Sequence, residues 1–234
     1  MKTRSASSEK LDNLSLNGEP LHKALKSLEW VNRWFGNHRS TVKAIINVYN
    51  KEKKELRIID LGCGGGDLIV CVAQSLRKIG AKFAITGIDG NNNTLKYAAE
   101  KCAGFPEVSF QQADILNPDF KLEHCDVLMT SHFIYHFSEK ELSVFINKNL
   151  PGIKIAIICS ELERSRLAYS LFKLGSFFLP LSKLAKQDGL LAIKRSLTKK
   201  EWLSVLKQAN ISAFSLRKVL LFRLQLIIPP TKGQ

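Results

Sequence analysis

Cysteine never occurs in this sequence in the paired spacing that holds a metal. The chain has five cysteines among 234 residues, and none belongs to a Cys-x-x-Cys pair. They are Cys63, Cys71, Cys102, Cys125 and Cys159. An odd, scattered set of this kind excludes a zinc ribbon and a disulfide framework, and it is typical of reduced thiols.

Long apolar runs are also absent. The N-terminal stretch MKTRSASSEK is polar and contains no hydrophobic core of the length found in signal peptides. Later apolar runs, such as SLFKLGSFFLPL, are interrupted by lysine or are too short to cross a bilayer. We therefore expect a cytoplasmic protein with no membrane-spanning segment.

Acidic residues are few in the last third of the chain. Residues 151–234 contain 15 lysines and arginines against 4 acids, within a total net charge of +14. Such a surface can attract RNA, an anionic membrane or an acidic small molecule, or it can simply be solvated without a specific partner. Composition alone leaves these alternatives open.

The centre of the chain alternates between strand and helix patterns. Apolar, β-branched runs predict strands at 57–61, 83–89, 108–114, 125–131 and 154–160, and helical periodicity predicts helices at 68–79, 94–102 and 139–149. Because this alternation needs crossover connections, it predicts an α/β fold with a parallel sheet covered on both faces.

The flanking segments complete one predicted domain over residues 21–234. Residues 1–20 are polar and predict a flexible lead-in, and residues 21–50 predict an N-terminal helical cap broken near Gly36–Asn37. A helical, apolar insert is predicted at 161–197, after the fifth strand. A helix at 198–209 with the capping box Thr198 and Glu201 comes next, and then two strands that turn near Arg217–Lys218.

A glycine-rich turn follows the first strand, in LRIIDLGCGGGDL at 56–68. A P-loop is excluded because no lysine follows the glycines, and a dinucleotide fingerprint is disfavoured because Asp67 replaces its third glycine and would repel a pyrophosphate. S-adenosylmethionine carries no phosphate, and its sulfonium and ammonium groups are cations that Asp60 and Asp67 would favour. Glycine would let its methionine end approach the backbone closely.

Acids also end the next two strands. Asp89 lies 23 residues beyond Gly66, where one carboxylate can accept from both hydroxyls of a ribose. Asp114 could accept from an adenine amino group, with Ile115 beside it covering the ring, although an acid here can also simply begin a turn.

The ordered set DLGCGGG, GID and QQAD resembles the class I S-adenosylmethionine-dependent methyltransferases, over residues 54–160 and on through the terminal strand pair. The resemblance implies a Rossmann-like, doubly wound, seven-stranded and mostly parallel sheet, with its last strand antiparallel. It differs from the family pattern at Gly90, where many relatives have a bulkier residue against the adenosine. The cofactor contacts that it implies are Asp60, Gly62, Cys63, Gly64, Asp67, Asp89, Gly90, Asp114, Ile115 and Ser131.

Candidate catalytic residues follow the fourth strand, in TSHFIYHF. His132, Tyr135 and His136 lie where a base would take a proton from a phenol or an enol, since imidazole is neutral near pH 7. Ring packing without a catalytic role is the alternative. The two histidines have the i, i+4 spacing of a metal pair, but Phe133 stands between them and no third ligand is evident, so we predict no metal.

This ending is similar to small-molecule methyltransferases of quinone and polyketide type, which implies O- or C-methylation of an aromatic or lipophilic acceptor. The insert would roof the acceptor, or pack on the core, or contact a membrane through an apolar stretch flanked by Lys173, Lys183 and Lys186. An RNA methyltransferase and a non-catalytic scaffold remain alternatives, although the chain lacks an NPPY-like motif after strand four. We expect no specific nucleic acid and either a monomer or a homodimer.

Overall fold

The computed structural model describes residues 1, 3–35 and 38–230. Seven strands form one sheet in the order β3-β2-β1-β4-β5-β7-β6, in which β7 runs antiparallel to its neighbours β5 and β6. The predicted doubly wound sheet with an antiparallel last strand is confirmed. The strands are β1 (Leu56–Leu61), β2 (Phe83–Asp89), β3 (Val108–Gln112), β4 (Cys125–Ser131), β5 (Ile153–Leu162), β6 (Ser215–Val219) and β7 (Arg223–Ile228).

Helices cover both faces of the sheet, as its buried parallel strands require. On one face the core includes Phe145 and Trp202, and on the other it includes Ile45 and Ile69. The helices are α1 (Gly18–Trp34), α2 (Arg39–Glu52), α3 (Asp67–Lys78), α4 (Asn92–Lys101), α5 (Glu139–Asn149), α6 (Arg166–Phe178), α7 (Lys183–Arg195) and α8 (Lys199–Gln208).

The N-terminal region contains the two helices that the periodicity predicts. Helix α1 begins at Gly18, three residues before the predicted start of the cap, and the predicted break at Gly36–Asn37 lies outside the described residues. Ahead of α1, the segment predicted as a lead-in includes one short 3-10 helix at Lys10–Asp12 and packs beside α7. This segment is therefore part of the packed domain.

The C-terminal region confirms one local prediction and corrects another. The Thr198 hydroxyl accepts from the Glu201 amide, and the Glu201 carboxylate accepts from the Thr198 amide, so the capping box begins α8 as predicted. The turn predicted near Arg217–Lys218 is wrong, because those residues lie inside β6 and Arg217 donates across the ladder to Gln225. The chain turns at 220–222 instead.

The insert after β5 is helical, as predicted, and consists of α6 and α7. Among the described residues, no helix is both long enough and apolar enough to traverse a bilayer.

Candidate functional site

A cavity of about 750 Å³ lies beside the glycine turn that follows β1, and the insert forms part of its wall. All thirteen residues predicted for the site contribute to its lining. They are Asp60, Gly62, Cys63, Gly64, Asp67, Asp89, Gly90, Asp114, Ile115, Ser131, His132, Tyr135 and His136. Residues from four separate stretches of the sequence therefore meet around one space.

The glycine turn has conformations that other residues rarely adopt. Gly62 and Gly64 have φ angles of +65° and +50°. A Cβ atom on Gly62 would lie 2.3 Å from the Phe133 ring, whereas a Cβ on Gly64 would meet nothing within 4 Å. Gly62 thus lets the loop after β4 pack against the turn, and Gly64 leaves open the space next to its backbone.

Asp89, at the end of β2, is tied to this turn. One carboxylate oxygen accepts from the Gly64 amide at 3.0 Å, and the other accepts from the Asn91 amide at 3.0 Å. Burial raises the pKa of Asp89, and these backbone hydrogen bonds oppose that rise. Each oxygen keeps a further lone pair with which to accept from a ligand.

Asp67 begins α3 and fastens the N-terminal helices to it. Its Oδ2 atom accepts from Asn32 at 2.7 Å and lies 2.9 Å from Nε2 of His38. Burial alone would raise the pKa of Asp67, but the hydrogen bonds from His38 and Asn32 outweigh it and hold the pKa well below its usual value. Asp67 therefore carries a negative charge at the cavity wall.

Asp60, at the end of β1, is buried and its Oδ2 atom has no hydrogen-bond partner in the described part of the chain. Burial raises its pKa, and the nearby charges of Asp67 and Asp89 raise it further. A buried carboxyl that lacks a partner is costly. A cation or a donor group placed in the cavity would satisfy it.

Gly90 follows Asp89 at the end of β2, and Leu14 takes the place of the side chain that Gly90 lacks. A Cβ atom at that position would lie 2.9 Å from Cδ2 of Leu14, which comes from the segment before α1. Leu14 therefore occupies the space into which a larger residue at 90 would project. Ile115 is buried and also lines the cavity, and the exposed Asp114 accepts from the Leu116 amide.

His132 is held in the loop after β4 with a positive φ of 57°. Its Nε2 atom contacts the guanidinium of Arg223, and because arginine can only donate, Nε2 must accept. Burial, followed by the charge of Arg223, lowers the pKa of His132 well below its ordinary value. Glu161 supports the same loop by accepting from the amides of Phe133 and Ile134 at 3.1 and 3.2 Å.

Tyr135 and His136 face acids from the N-terminal segment instead. The Tyr135 hydroxyl donates to Glu9 at 3.3 Å, and Nδ1 of His136 lies 3.4 Å from Oδ1 of Asp12. Burial raises the pKa of Tyr135 and lowers that of His136 to about 4, although Asp12 opposes the second shift. At neutral pH the tyrosine is therefore protonated and the imidazole is neutral.

Glu9, Asp12 and His136 bring their potential ligand atoms within 4.8 Å of one another. Arg195 already places positive charge among them, 2.8 Å from Asp12 and 3.6 Å from Glu9. The i, i+4 histidine pair considered from the sequence does not converge, because His132 turns to Arg223 and His136 to Asp12. The cluster thus includes an ion pair between Arg195 and Asp12.

Residues 4–17, which we call the N-terminal strap, cross this side of the cavity. At one end Arg4 donates to the carbonyl oxygens of Tyr135 and Phe137 at 2.6 and 2.9 Å. At the other end the carbonyl oxygen of Leu16 accepts from Asn91 at 3.0 Å. The strap therefore spans from the loop after β4 to the turn after β2.

The middle of the strap is fixed by α7. The buried Asp188 accepts from the amides of Lys10 and Leu11 at 3.1 and 2.9 Å. Sequence reasoning missed the strap, because its serine-, asparagine- and lysine-rich composition is also that of a linker. It also missed Glu161, for which an acid at the end of a buried strand was the available signal.

Comparison with known proteins places the chain in a family. It is 34% identical to the ubiquinone/menaquinone biosynthesis C-methyltransferase UbiE of Campylobacter jejuni over 90 residues. These residues cover 38% of this chain and 37% of that protein. Over 75 residues it is 35% identical to the carboxy-S-adenosyl-L-methionine synthase of Helicobacter pylori, 32% of this chain and 30% of that one. The chain thus spans about a third of the length of these curated relatives.

Solved structures share the fold at low identity. A putative S-adenosyl-L-methionine-dependent methyltransferase from Methanococcus maripaludis has a TM-score of 0.61 at 15% identity, covering 94% of this chain and 98% of that one. Magnesium protoporphyrin IX methyltransferase from Synechocystis, with bound SAH, has a TM-score of 0.56 at 15% identity, covering 94% and 93%. The profile of the methyltransferase domain family matches residues 52–212, which is more than half of the sequence, and the chain belongs to that family.

Proposed function

We propose that this chain transfers a methyl group from S-adenosylmethionine to oxygen or carbon of a small aromatic or lipophilic acceptor. The observation that carries the proposal is the joining of two sets of residues in one cavity. Asp60, Asp89 and the glycine turn form one part of the lining, and His136 forms another. The family match and the partial likeness to a quinone C-methyltransferase support this class of reaction.

The residues present fit the cofactor. Asp89 would accept from the ribose hydroxyls, the open space beside Gly64 would admit the methionine portion, and the unpartnered carboxyl of Asp60 would meet a cation. Ile115 and Leu14 would cover the adenine ring. When bound, the cofactor supplies an activated methyl group on a sulfonium. The chain's remaining task is to orient the acceptor, exclude water and remove a proton.

We assign proton removal to His136. With its Nδ1–H directed at Asp12, the imidazole keeps the lone pair of Nε2 to accept a proton from a phenol or an enol. Its low pKa keeps it neutral, and therefore able to act as a base, throughout the neutral range. His132 has its Nε2 engaged by Arg223, so we assign it to positioning the loop. Tyr135 stays protonated and aligns the strap through Glu9.

The acceptor side of the cavity is apolar. The insert contributes Phe172, Leu181, Ala192 and Ile193 to the lining, which supports a role for it as a roof over a hydrophobic acceptor. Quinone or pigment metabolism is the pathway class that we propose, and cytoplasmic location stays a prediction.

The experiment is a transfer assay with methyl-labelled cofactor and a panel of phenols and hydroquinones with and without alkyl tails. We expect label on an alkylated phenol or hydroquinone, and a loss of turnover of about a hundredfold or more in His136→Gln with unchanged cofactor affinity. His124→Gln, which changes an exposed histidine, is the matched control. Wild-type turnover in His136→Gln would overturn the assignment of the base.

The same assay addresses the alternatives. Label on RNA, with binding that weakens steeply as salt rises, would favour an RNA methyltransferase that uses the basic C-terminal third. Tight cofactor binding without transfer to any acceptor would favour a scaffold. Sedimentation of the same preparation would distinguish a monomer from a homodimer.

A further inference from the structure

Helix α6 exposes a continuous row of large apolar side chains. Leu167, Leu171, Leu174, Phe177 and Phe178 are 59, 51, 66, 80 and 76% exposed. Spacings of four, three and four residues place Leu167, Leu171, Leu174 and Phe178 on one side of the helix, with Phe177 at its border. We call these five side chains the apolar face. Soluble proteins rarely leave so much contiguous apolar surface in water without a partner.

The opposite side of α6 already has its packing partner, so the apolar face is not a misplaced core. Ala168 and Ser176 are buried, and the ring of Phe172 fits against Gly189 of α7, where a Cβ atom would lie 2.7 Å from it. The helix therefore has one side that packs on the protein and a second, apolar side that is exposed to solvent.

The charges around the apolar face have one sign. Arg166 and Lys173 on α6 and Lys183 at the start of α7 are exposed. Between residues 164 and 197 the sequence has a single acid, Asp188, which is buried and accepts hydrogen bonds from the strap. The exposed charges of α6 and of the start of α7 are thus all cations, as in helices that lie in the surface of an anionic membrane.

The apolar face also continues into the cavity. Leu171 and Gly175 of α6 line the cavity, and so does Leu221 in the exposed turn between β6 and β7. Leu220, next to it, is 75% exposed. An apolar molecule held against α6 would therefore find apolar side chains along its path to the site.

We propose that α6 docks on an anionic phospholipid bilayer, with the apolar face among the acyl chains and Arg166, Lys173 and Lys183 at the headgroups. A second copy of the chain is the less favourable occupant. A two-fold contact through this face would bring the same three cations of both copies together, on a protein whose net charge is +14. Delivery of a lipophilic acceptor from the bilayer rests on the proposed function, whereas the docking itself does not.

The experiment is flotation of the full chain with vesicles, without cofactor or acceptor. The vesicles are equimolar phosphatidylglycerol and phosphatidylcholine, or phosphatidylcholine alone. We expect the protein to float with the anionic vesicles and to do so less as salt rises. The double variant Leu174→Glu/Phe178→Glu should reduce binding by at least about tenfold, and Lys173→Glu/Lys183→Glu should reduce it on anionic vesicles.

The matched control is Val144→Glu, which places the same charge at an exposed apolar residue of α5. It should float like the wild type, and melting temperatures confirm that each variant is folded. Absence of wild-type flotation, or equal flotation of Leu174→Glu/Phe178→Glu and Val144→Glu, would overturn the proposal. So would a dimer in sedimentation velocity that the double variant converts to monomer. None of these outcomes depends on methyl transfer, so a failed docking is distinguishable from a failed function.

Discussion

The Asp188→Asn substitution isolates the attachment of the N-terminal strap to α7. Asp188 is buried and accepts from two backbone amides, those of Lys10 and Leu11. Asparagine has nearly the same shape, but only its carbonyl oxygen accepts, so its amide group would face one of the two N–H donors. We expect the strap to detach more often while the rest of the fold is kept.

The magnitude follows from the bonds that change. A hydrogen bond to a charged group stabilises by about 1.5–3 kcal/mol, and one such bond is lost. Since about 1.4 kcal/mol is a factor of ten, the attached state should become less populated, relative to the detached state, by on the order of ten- to a hundredfold. Because Leu14 of the strap fills the space over Gly90, cofactor affinity should fall in the same direction.

The assay is hydrogen exchange of the amides of residues 4–16, read by mass spectrometry, together with the cofactor dissociation constant. Exchange there should accelerate by the factor above, while exchange in β1 and β4 stays unchanged. Asp119→Asn, at an exposed loop position, is the control. Unchanged exchange of the strap in Asp188→Asn would refute this reasoning.

Three further results are expected. Because burial lowers the pKa of His136 to about 4, kcat should stay constant as pH falls through 6.5 and should decline only as pH approaches about 4. An inflection of kcat near pH 6.5 that is absent from His136→Gln would contradict this. Burial raises the pKa of Glu9 from 4.5 to about 8. Between these two pH values the unfolded chain has released the proton and the folded chain has not, so the free energy of unfolding falls by about 1.4 kcal/mol per pH unit. The Tm of Glu9→Gln should therefore rise relative to the Tm of the wild type as pH increases. A difference between the two Tm values that does not change with pH would count against a buried Glu9. Gly62→Ala should lower the free energy of unfolding, measured in urea, by more than the roughly 1–2 kcal/mol expected of Gly64→Ala. Both glycines have a positive φ, but only Gly62 faces the Phe133 ring. Equal losses in the two variants would be inconsistent with that contact.

Local patterns predicted the sheet and the glycine turn because their causes lie close together in the sequence. The run LRIIDL is apolar on both faces, as a central parallel strand must be, and the glycines follow it directly. Asp89 was predictable because the carboxyl ends of parallel strands share one edge of the sheet. The capping box of α8 is likewise a matter of four adjacent residues.

Contacts between distant parts of the chain were not predictable in this way. The Asp12 carboxylate meets Arg195, 183 residues away, and Nε2 of His132 meets Arg223, 91 residues away. Because neither residue of such a pair carries a local signal of the other, the sequence did not indicate that the strap packs on α7 or that His132 contacts Arg223. The turn at 220–222 was missed because it contains no glycine, asparagine or proline, and Leu221 and Phe222 adopt its positive φ angles themselves.

Calorimetric titration of S-adenosylmethionine into the wild type and Asp89→Ala tests most directly whether this cavity holds the cofactor. We expect one saturable site in the wild type, competition by S-adenosylhomocysteine, and at least about a hundredfold weaker binding in Asp89→Ala, because that variant removes the carboxylate that we propose accepts from both ribose hydroxyls. The melting temperature of each protein shows that the variant is folded. Absence of saturable binding to the wild type, or equal affinity in a folded Asp89→Ala, would contradict a cofactor site at the glycine turn.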